Sequence, residues 1–197
     1  MFLHSNEKSI ILGPKFEFKE FPELMKKHLN EFPGVHELEN EAISLVKRNF
    51  QFPELEKYIR HVCRWGNFAG VAGRVIKRNS PDKISAAFRN AYSFLNCSTP
   101  SPSSALASLN KLKGLGTPSF ASKHLRFLMP SQCPVYDAIL TNYLPYSFNP
   151  EGYEKFSKDC IIIASSLNKQ KIHNPFRQDK FWLAADVEAS MFARFYS

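Results

Sequence analysis

Apolar residues recur at intervals of three and four along most of the chain, which is the spacing of one face of an α-helix. The clearest apolar stripe consists of Ile84, Phe88, Ala91 and Leu95. Ser80 and Pro81 stand before this stripe, as a capping side chain followed by a proline at the first helical position. The alternation typical of strands is confined to residues 10–18, IILGPKFEF. The pattern therefore predicts an all-α fold of roughly nine or ten short helices.

The same periodicity predicts the remaining helices. They are expected at 22–32, 37–50, 53–65, 101–112, 118–129, 135–144, 149–167 and 179–196. The first three open near a proline or an acid and end with basic residues, which complements the helix dipole. A chain of 197 residues can bury one substantial core, and we find no internal repeat, so we treat residues 1–197 as a single domain.

The chain is basic, and its positive charge is concentrated in one segment. The formal net charge is +8, yet residues 1–50 carry seven Lys or Arg against eight Asp or Glu. Residues 57–130 carry twelve Lys or Arg and a single acid, Asp82, after which the next acid is Asp137. A basic run is often only a solvated face. Its concentration between near-neutral flanks nevertheless favours a polyanionic partner, of which nucleic acid is the commonest.

The cysteine spacing, the N-terminal residues and the longest apolar run narrow the possible classes of protein further. The four cysteines lie 34, 36 and 27 residues apart, so no CxxC or CxxH pattern supports a zinc or iron–sulfur site. Four ordinary thiols in a reducing compartment are the simpler interpretation, and we expect a cytoplasmic protein. Charged residues interrupt the apolar N-terminus, unlike a signal peptide. The longest purely apolar run, CIIIA at 160–164, is far short of a membrane span.

Two glycines lie between predicted helices in the stretch LKGLGT, residues 112–117. Glycines at alternate positions permit a tight turn and a close approach of the backbone to another molecule. Thr117 can cap the helix that begins at Pro118, whose first N–H groups suit a phosphate. A GxG by itself marks only a turn. Flanked by Lys113 and Lys123, it indicates a helix-hairpin-helix at 109–129, which grips a DNA phosphate without reading sequence.

The segment from 109 to about 140 resembles the signature of the helix-hairpin-helix DNA glycosylases, especially their eight-oxoguanine glycosylase branch. That branch has G-[VL]-G-T-K and then, nineteen residues after the lysine, the aspartate of V-x-D. Here Gly114-Leu115-Gly116-Thr117 matches the first motif, and Val135-Tyr136-Asp137 ends nineteen residues after position 118. Residues 67–75, NFAGVAGRV, are similar to the branch's DNA-lining helix, N-[IF]-A-x-[IV]-x-G-x-V. The matches touch roughly 40 residues, and the flanking segments match only as helices.

The resemblance implies two helical lobes around a DNA- and base-binding cleft, and a base-excision role for Asp137. Cleaving an N-glycosidic bond builds positive charge on the deoxyribose, which a carboxylate beside C1′ stabilises while it orients or deprotonates a water. The alternative is that Asp137 merely satisfies N–H groups at a helix N-terminus. The nineteen-residue spacing favours catalysis. DNA-phosphate contacts are assigned to Lys113, Gly114, Leu115, Gly116, Thr117 and Lys123.

The chain departs from the family at Pro118, which stands where the Schiff-base lysine would be and has no amine. This departure removes the nucleophile with which related enzymes also cut the strand, so we expect a monofunctional enzyme that leaves an abasic site. Lys123 lies five residues further on, about 140° around a helix. We therefore expect it to meet phosphate or solvent rather than to replace the missing lysine.

Further roles follow from position in the family pattern. A flipped nucleotide leaves a gap that a side chain must fill, and the candidates are Trp65 and Asn67. The base pocket is assigned to Ser122, Phe181 and Trp182. Aromatic residues at such positions are more often part of the core, and that alternative stays open for Trp65, Phe181 and Trp182.

The resemblance also implies an optional monovalent cation, K⁺ or Na⁺, at the hairpin. The carbonyls of Asn110, Leu112 and Leu115 correspond to those that hold such a cation in related hairpins. No other cofactor is expected.

Together these observations predict a monomeric DNA N-glycosylase that acts on double-stranded DNA carrying a modified base. A bulky modified cytosine, such as the glucosylated hydroxymethylcytosine of phage DNA, is slightly favoured, and an oxidised purine comes next. The preference rests on analogy with bacterial glycosylases that attack modified phage DNA, since this chain lacks the family's lysine and its full N-terminal sheet domain. Two alternatives stay open: a non-catalytic hairpin DNA-binding protein, and a bifunctional glycosylase/lyase that uses a displaced lysine such as Lys123.

Overall fold

The computed structural model describes residues 2–3, 9–11, 15–116 and 118–196, with side chains from Phe16 onward. Within these residues the chain forms ten α-helices and three short strands. In chain order the helices are α1 (Phe21–Glu31), α2 (Val35–Lys47), α3 (Glu54–Trp65), α4 (Gly70–Arg78), α5 (Pro81–Leu95), α6 (Pro102–Asn110), α7 (Ser119–Leu128), α8 (Ala138–Tyr143), α9 (Pro150–Lys169) and α10 (Ala184–Phe195). The prediction of an all-helical body of nine or ten helices is confirmed.

A small antiparallel sheet precedes the helices. Its strands are β1 (Phe2–Leu3), β2 (Ser9–Ile11) and β3 (Lys15–Glu17), in the order β1-β2-β3. The two last strands fall within the one stretch whose sequence alternates. Phe16 of β3 is fully buried, and its ring lies 5.8 Å from the ring of Phe195, so the sheet rests against the end of α10.

Polar capping residues fix where several helices begin. Ser80, Ser101 and Asn149 each accept a hydrogen bond from the backbone N–H three residues on, at 3.3, 3.3 and 2.8 Å, and each is followed by proline. Asp137 accepts in the same way from the N–H of Leu140, at 3.3 Å. The starts at Ser80, Ser101 and Asn149 were readable in the sequence, because each cap depends on residues that are neighbours in the chain.

Two helices, α8 and α10, begin at least three residues later than predicted, because tertiary hydrogen bonds hold the residues that precede them. The N–H groups of Val135 and Tyr136 donate to the side chains of Glu188 and Ser122, at 3.1 and 2.8 Å, so α8 begins only at Ala138. The segment before α10 is held at Trp182. The backbone N–H of Trp182 donates to the side chain of Asn168 on α9, and its C=O accepts from the same side chain. The last helix therefore begins at Ala184 rather than at 179.

α10 lies at the centre of the fold. It is buried along its whole length from Ala184 to Ala193, and it packs on α1, α8 and α9. α2, α3 and α7 pack on one another, and α6 joins α5, α7 and α9. The buried apolar side chains of these helices form one continuous cluster. Within the described part of the chain, no helix combines the length and apolarity needed to cross a membrane.

Candidate active site

A cavity of about 290 Å³ opens between the α1–α10 pair and the end of α3 that faces α7. Its aromatic side chains are Phe32, Trp65, Phe192 and Tyr196. Its polar and ionisable side chains are His28, Asn67, Lys123, Asp137 and Glu188. Small-molecule sites typically begin at about 300 Å³ and combine apolar walls with a few placed polar groups. The cavity has the composition and size to receive one flat ring.

Asp137 lies at the cavity as the N-cap of α8. Its Oδ1 accepts from the N–H of Leu140 at 3.3 Å, and its Oδ2 lies 3.4 Å from Nζ of Lys123. The side chain is 14% exposed. The extended residues before it are fixed from two sides by Ser122 and Glu188, so the carboxylate is held in place. Asp137 is therefore a helix cap, as the alternative interpretation expected, and it also faces the cavity.

Lys123 does not face solvent, so that part of the expectation was wrong, and its contact with a DNA phosphate stays a prediction. Its side chain is 11% exposed, and Nζ donates to Ser119 Oγ at 3.0 Å as well as approaching Asp137. The aliphatic stem packs so closely on Gly66 that a Cβ there would lie 2.9 Å from Cδ of Lys123. The helical angle from Pro118 did not predict these contacts, because they depend on Gly66 and Asp137, which are distant in the chain. The long side chain then reaches across to Asp137.

Glu188 is a buried acid at the cavity, only 2% exposed. Burial raises its pKa to about 8, and the nearby charge of Asp137 adds to the rise while Arg126 opposes it. Its Oε2 accepts from the N–H of Val135 at 3.1 Å. At neutral pH Glu188 therefore carries a proton and presents a hydroxyl donor.

His28 occupies a polar position in the apolar stripe of α1, between Met25 and Phe32, and is 4% exposed. Burial lowers its pKa to about 3, and the charge of Arg126 lowers it further. The ring stacks on Phe32 with centroids 5.0 Å apart. His28 is therefore a neutral imidazole throughout the physiological range.

A cluster of buried charges lies behind the cavity and joins α2, α7 and α10. Arg177 bonds to both carboxylate oxygens of Glu39, at 2.7 and 2.8 Å, and to both of Asp186, at 2.9 and 2.8 Å. Arg126 has no exposed surface, lies 3.9 Å from Glu39, and stacks its guanidinium over the ring of Trp65 at 5.4 Å. Paired charges of this kind tolerate burial only with accurate geometry.

The predicted hairpin is a tight turn between α6 and α7. Gly114 and Gly116 have φ values of 90° and 77°, which glycine adopts without strain. A Cβ on Gly114 would lie 3.0 Å from Cβ of Arg74, so the turn lies directly against α4. The side chain of Asn79 bonds to both the N–H and the C=O of Lys113, at 3.1 and 2.9 Å. The turn thus projects the exposed Lys113 beside the basic α4.

The remaining hairpin predictions concern backbone groups. The side chain of Leu115 is buried, so only its backbone can meet a phosphate, and Thr117 lies outside the described residues. The carbonyl of Leu112 accepts from the N–H of Leu115 at 3.3 Å. Among the described residues no group of three His, Cys, Asp or Glu side chains could hold a metal ion. A hairpin cation would instead be held by the backbone carbonyls of Asn110, Leu112 and Leu115, and that site stays a prediction.

The predicted gap-filling residues occupy two different positions. The ring of Trp65 is part of the cavity wall, packed edge-on against Phe127 at 4.9 Å, rather than a projecting wedge. Asn67 is exposed at the rim with φ of 60°. The next residue, Phe68, is 59% exposed and was missed by sequence reasoning. Phe68 is thus an exposed phenyl ring that follows a cavity residue, Asn67, in the chain.

The three residues assigned to the base pocket lie outside the cavity, and the assignment is corrected. Ser122 is fully buried, where its Oγ accepts from the N–H of Tyr136. Trp182 is 1% exposed, and its indole N–H donates to the carbonyl of Ile172 at 2.7 Å, so it belongs to the core. Phe181 is 55% exposed and lines a separate cavity beside the end of α9.

Several cavity residues come from the two ends of the chain and were missed. They are His28, Phe32, Glu188, Phe192 and Tyr196. His28 was detectable in principle, as a lone polar residue on the apolar stripe of α1. The position of Glu188 was not, because it depends on the burial of all of α10.

Comparisons of the chain with protein-family models, with curated proteins and with solved structures gave no match. Function is therefore inferred from the residues of the cavity and the hairpin.

The buried titrating groups predict a stability maximum near pH 6.5. Folding raises the pKa of Glu188 from 4.5 to about 8, so the folded state holds an extra proton in that range and loses stability as the pH rises. Folding lowers the pKa of His28 and His124 from 6.5 to about 3 and about 4, so these two lose stability as the pH falls below 6.5. Below pH 6.5 the two histidines together change the free energy of unfolding more steeply with pH than Glu188 does. Each group contributes at most about 1.4 kcal/mol per pH unit.

Denaturant unfolding at pH 5, 6.5 and 8 measures this dependence. In Glu188→Gln, whose amide oxygen still accepts from Val135, the decline between pH 6.5 and 8 should disappear. A variant that declines as steeply as the wild type would contradict the assignment.

Proposed function

We propose that this protein is a DNA N-glycosylase that flips a modified base into the cavity and releases it, leaving an abasic site. One observation carries the proposal: Asp137 and Lys123, 3.4 Å apart, lie together at an aromatic cavity next to a glycine-rich hairpin in the most basic part of the chain. A carboxylate that stabilises the developing positive charge and an aromatic pocket for the flipped base are groups that base excision uses.

Asp137 has the chemistry for the bond-breaking step. As the C1′–N bond breaks, its electron pair leaves with the base, and positive charge develops on the sugar. The carboxylate stabilises that charge and accepts a proton from the water that adds to C1′. The ammonium of Lys123 donates to the same carboxylate, which fixes its orientation. The leaving base takes up a proton.

Surrounding groups support binding to duplex DNA. The hairpin backbone at Gly114 and Gly116, with the exposed Lys113, suits a phosphate. Asn67 and Phe68 stand at the rim of the cavity, where a side chain would fill the gap left by a flipped nucleotide. A modified cytosine is the favoured base and an oxidised purine the next, on the family analogy given above.

Replacing Asp137 by Asn tests the catalytic role without disturbing the fold. Asn caps helices as well as Asp does, so the bond to the N–H of Leu140 is kept while the negative charge is lost. We expect base release from duplexes that carry modified cytosine or eight-oxoguanine to fall by at least about 100-fold. Single-turnover kinetics of free-base release measure the effect, with unchanged affinity for DNA.

The matched control is Asp179→Asn. Asp179 is exposed and also accepts a backbone N–H, from Phe181 at 3.0 Å, but it lies away from the cavity, so release should be unchanged. If Asp137→Asn released base at the wild-type rate, the catalytic role of Asp137 would be wrong. If the wild type bound DNA and released nothing, a non-catalytic DNA-binding role would replace the proposal.

The position of Lys123 favours a second candidate function, that of a bifunctional glycosylase/lyase. Its Nζ lies in the cavity beside Asp137, although the family's lysine position holds Pro118. Once Lys123 has given up a proton, its amine could attack C1′ and expel the base with the bonding electrons. The C1′–O4′ bond then breaks and O4′ takes up a proton, which opens the sugar and yields an iminium adduct between lysine and C1′. Loss of a C2′ proton and of the 3′-phosphate from that adduct would then cut the strand.

Borohydride reduction distinguishes the two functions, because it converts the iminium to a stable protein–DNA adduct. A lyase requires an adduct with the wild type and none with Lys123→Arg, which keeps the charge but has no nucleophilic amine. Lys158→Arg, an exposed lysine on α9, is the matched control and should trap as the wild type does. Base release by the wild type without any trapped adduct would leave the monofunctional mechanism.

A further inference from the structure

Two polar side chains of the cavity have no hydrogen-bond partner among the described residues. Neither ring nitrogen of His28 is paired, although the residue is 4% exposed. The indole N–H of Trp65 is likewise buried and unpaired. Both residues line the cavity, and their ring centroids are 6.3 Å apart. These three unpaired atoms thus belong to side chains of one cavity, whereas the other buried side chains with an unpaired polar atom, Asn110, His124, Arg126, Gln132 and Ser157, do not line it.

Leaving such groups unpaired costs stability, and native proteins keep few of them. Loose packing does not explain why these groups are unpaired, because both side chains are held by ring contacts. The His28 ring stacks on Phe32 and meets the edge of Phe192 at 6.1 Å, while Trp65 packs against Phe127. Rigid, unpaired polar groups at a cavity are typical of a site whose partner is a ligand.

We propose that His28 and Trp65 determine specificity by hydrogen-bonding to the edge of the flipped base. This inference rests on the proposed function and specifies its substrate. The stacked, uncharged imidazole supplies one N–H and one ring-nitrogen acceptor, and the indole supplies a second N–H. Glu188, which lines the same cavity, adds a hydroxyl donor when it carries its proton.

This inventory has more donors than acceptors, so it complements a base edge that presents adjacent acceptors. The O2 and N3 atoms of a cytosine-type base form such an edge, and both become free when the base leaves its pair. The Watson–Crick edge of a guanine-type base presents one acceptor, O6, beside two N–H donors. Recognition through O2 and N3 also leaves position 5 of the ring unread, so a substituent there is tolerated. The donor and acceptor inventory thus fits a cytosine-type base, and it is compatible with a substituent at position 5.

His28→Phe is the discriminating variant, because it keeps the ring and its stacking on Phe32 but removes both nitrogens. We expect kcat/KM for release of 5-hydroxymethylcytosine, plain or glucosylated, to fall at least about tenfold. The denaturation midpoint should rise at the same time, since an unpaired buried polar group is removed. His28→Asn, which restores one donor and one acceptor, should recover part of the release.

His36→Phe is the matched control. His36 stacks on Phe176 at 4.1 Å, but it is exposed and lies outside the cavity, so release should be unchanged. Affinity for a duplex with a tetrahydrofuran abasic analogue should be the same for His28→Phe and the wild type, because that duplex has no base to read. If His28 had a merely structural role, His28→Phe would lower the affinity for the abasic duplex as well as for the modified-cytosine duplex. That result would overturn the inference.

Three further outcomes are decisive. If His28→Phe kept the wild-type kcat/KM, the recognition role of His28 would be overturned. If the wild type released eight-oxoguanine as fast as the modified cytosines, the assignment of the cavity to the O2 and N3 edge of cytosine would be overturned. If the wild type released no base at all, the proposed function would fail separately. Binding would then decide the inference: a preference for the modified-cytosine duplex over the abasic duplex must vanish in His28→Phe, and its persistence would overturn it.

Discussion

The burial of charge along α10 is the constraint on which the rest of the structure depends. Asp186 and Glu188 lie on a helix that is buried from Ala184 to Ala193, so each needs a partner or a proton. Arg177 supplies the partner for Asp186 and ties it to Glu39 of α2. Glu188 has no such guanidinium bonded to it in the described structure and takes the proton instead, with a pKa of about 8.

Glu188 of this buried helix also helps to hold the backbone of the candidate site in place. Glu188 holds the N–H of Val135, and Ser122 of α7 holds the N–H of Tyr136, so the next residue, Asp137, is delivered to the cavity at the start of α8. Because Ser122 and Lys123 are adjacent, the helix that positions the backbone before Asp137 also brings the amine to its carboxylate. Packing and chemistry are thus linked through one turn of α7.

What could be predicted from the sequence follows the range of the interactions involved. The caps at Ser80 and Asn149 and the turn at Gly114 depend on neighbours in the chain, and their positions were read correctly. The side-chain direction of Lys123 was wrong, because it depends on packing against Gly66 and on the approach of Asp137. Trp182 was assigned to the pocket but is fixed in the core by Ile172. His28 and Glu188 were missed, since only the tertiary fold brings α1 and α10 to the same cavity.

The mass of the DNA strand after a single-turnover reaction tests the central claim most directly. The duplexes would carry one glucosylated hydroxymethylcytosine, one 5-hydroxymethylcytosine or one eight-oxoguanine, and each would be incubated with excess wild-type protein. Hydrolysis at Asp137 predicts an intact strand that has lost one base and gained one water, first and fastest for the modified cytosines. Bound but unchanged strands for every base would contradict the assignment of the cavity to base excision.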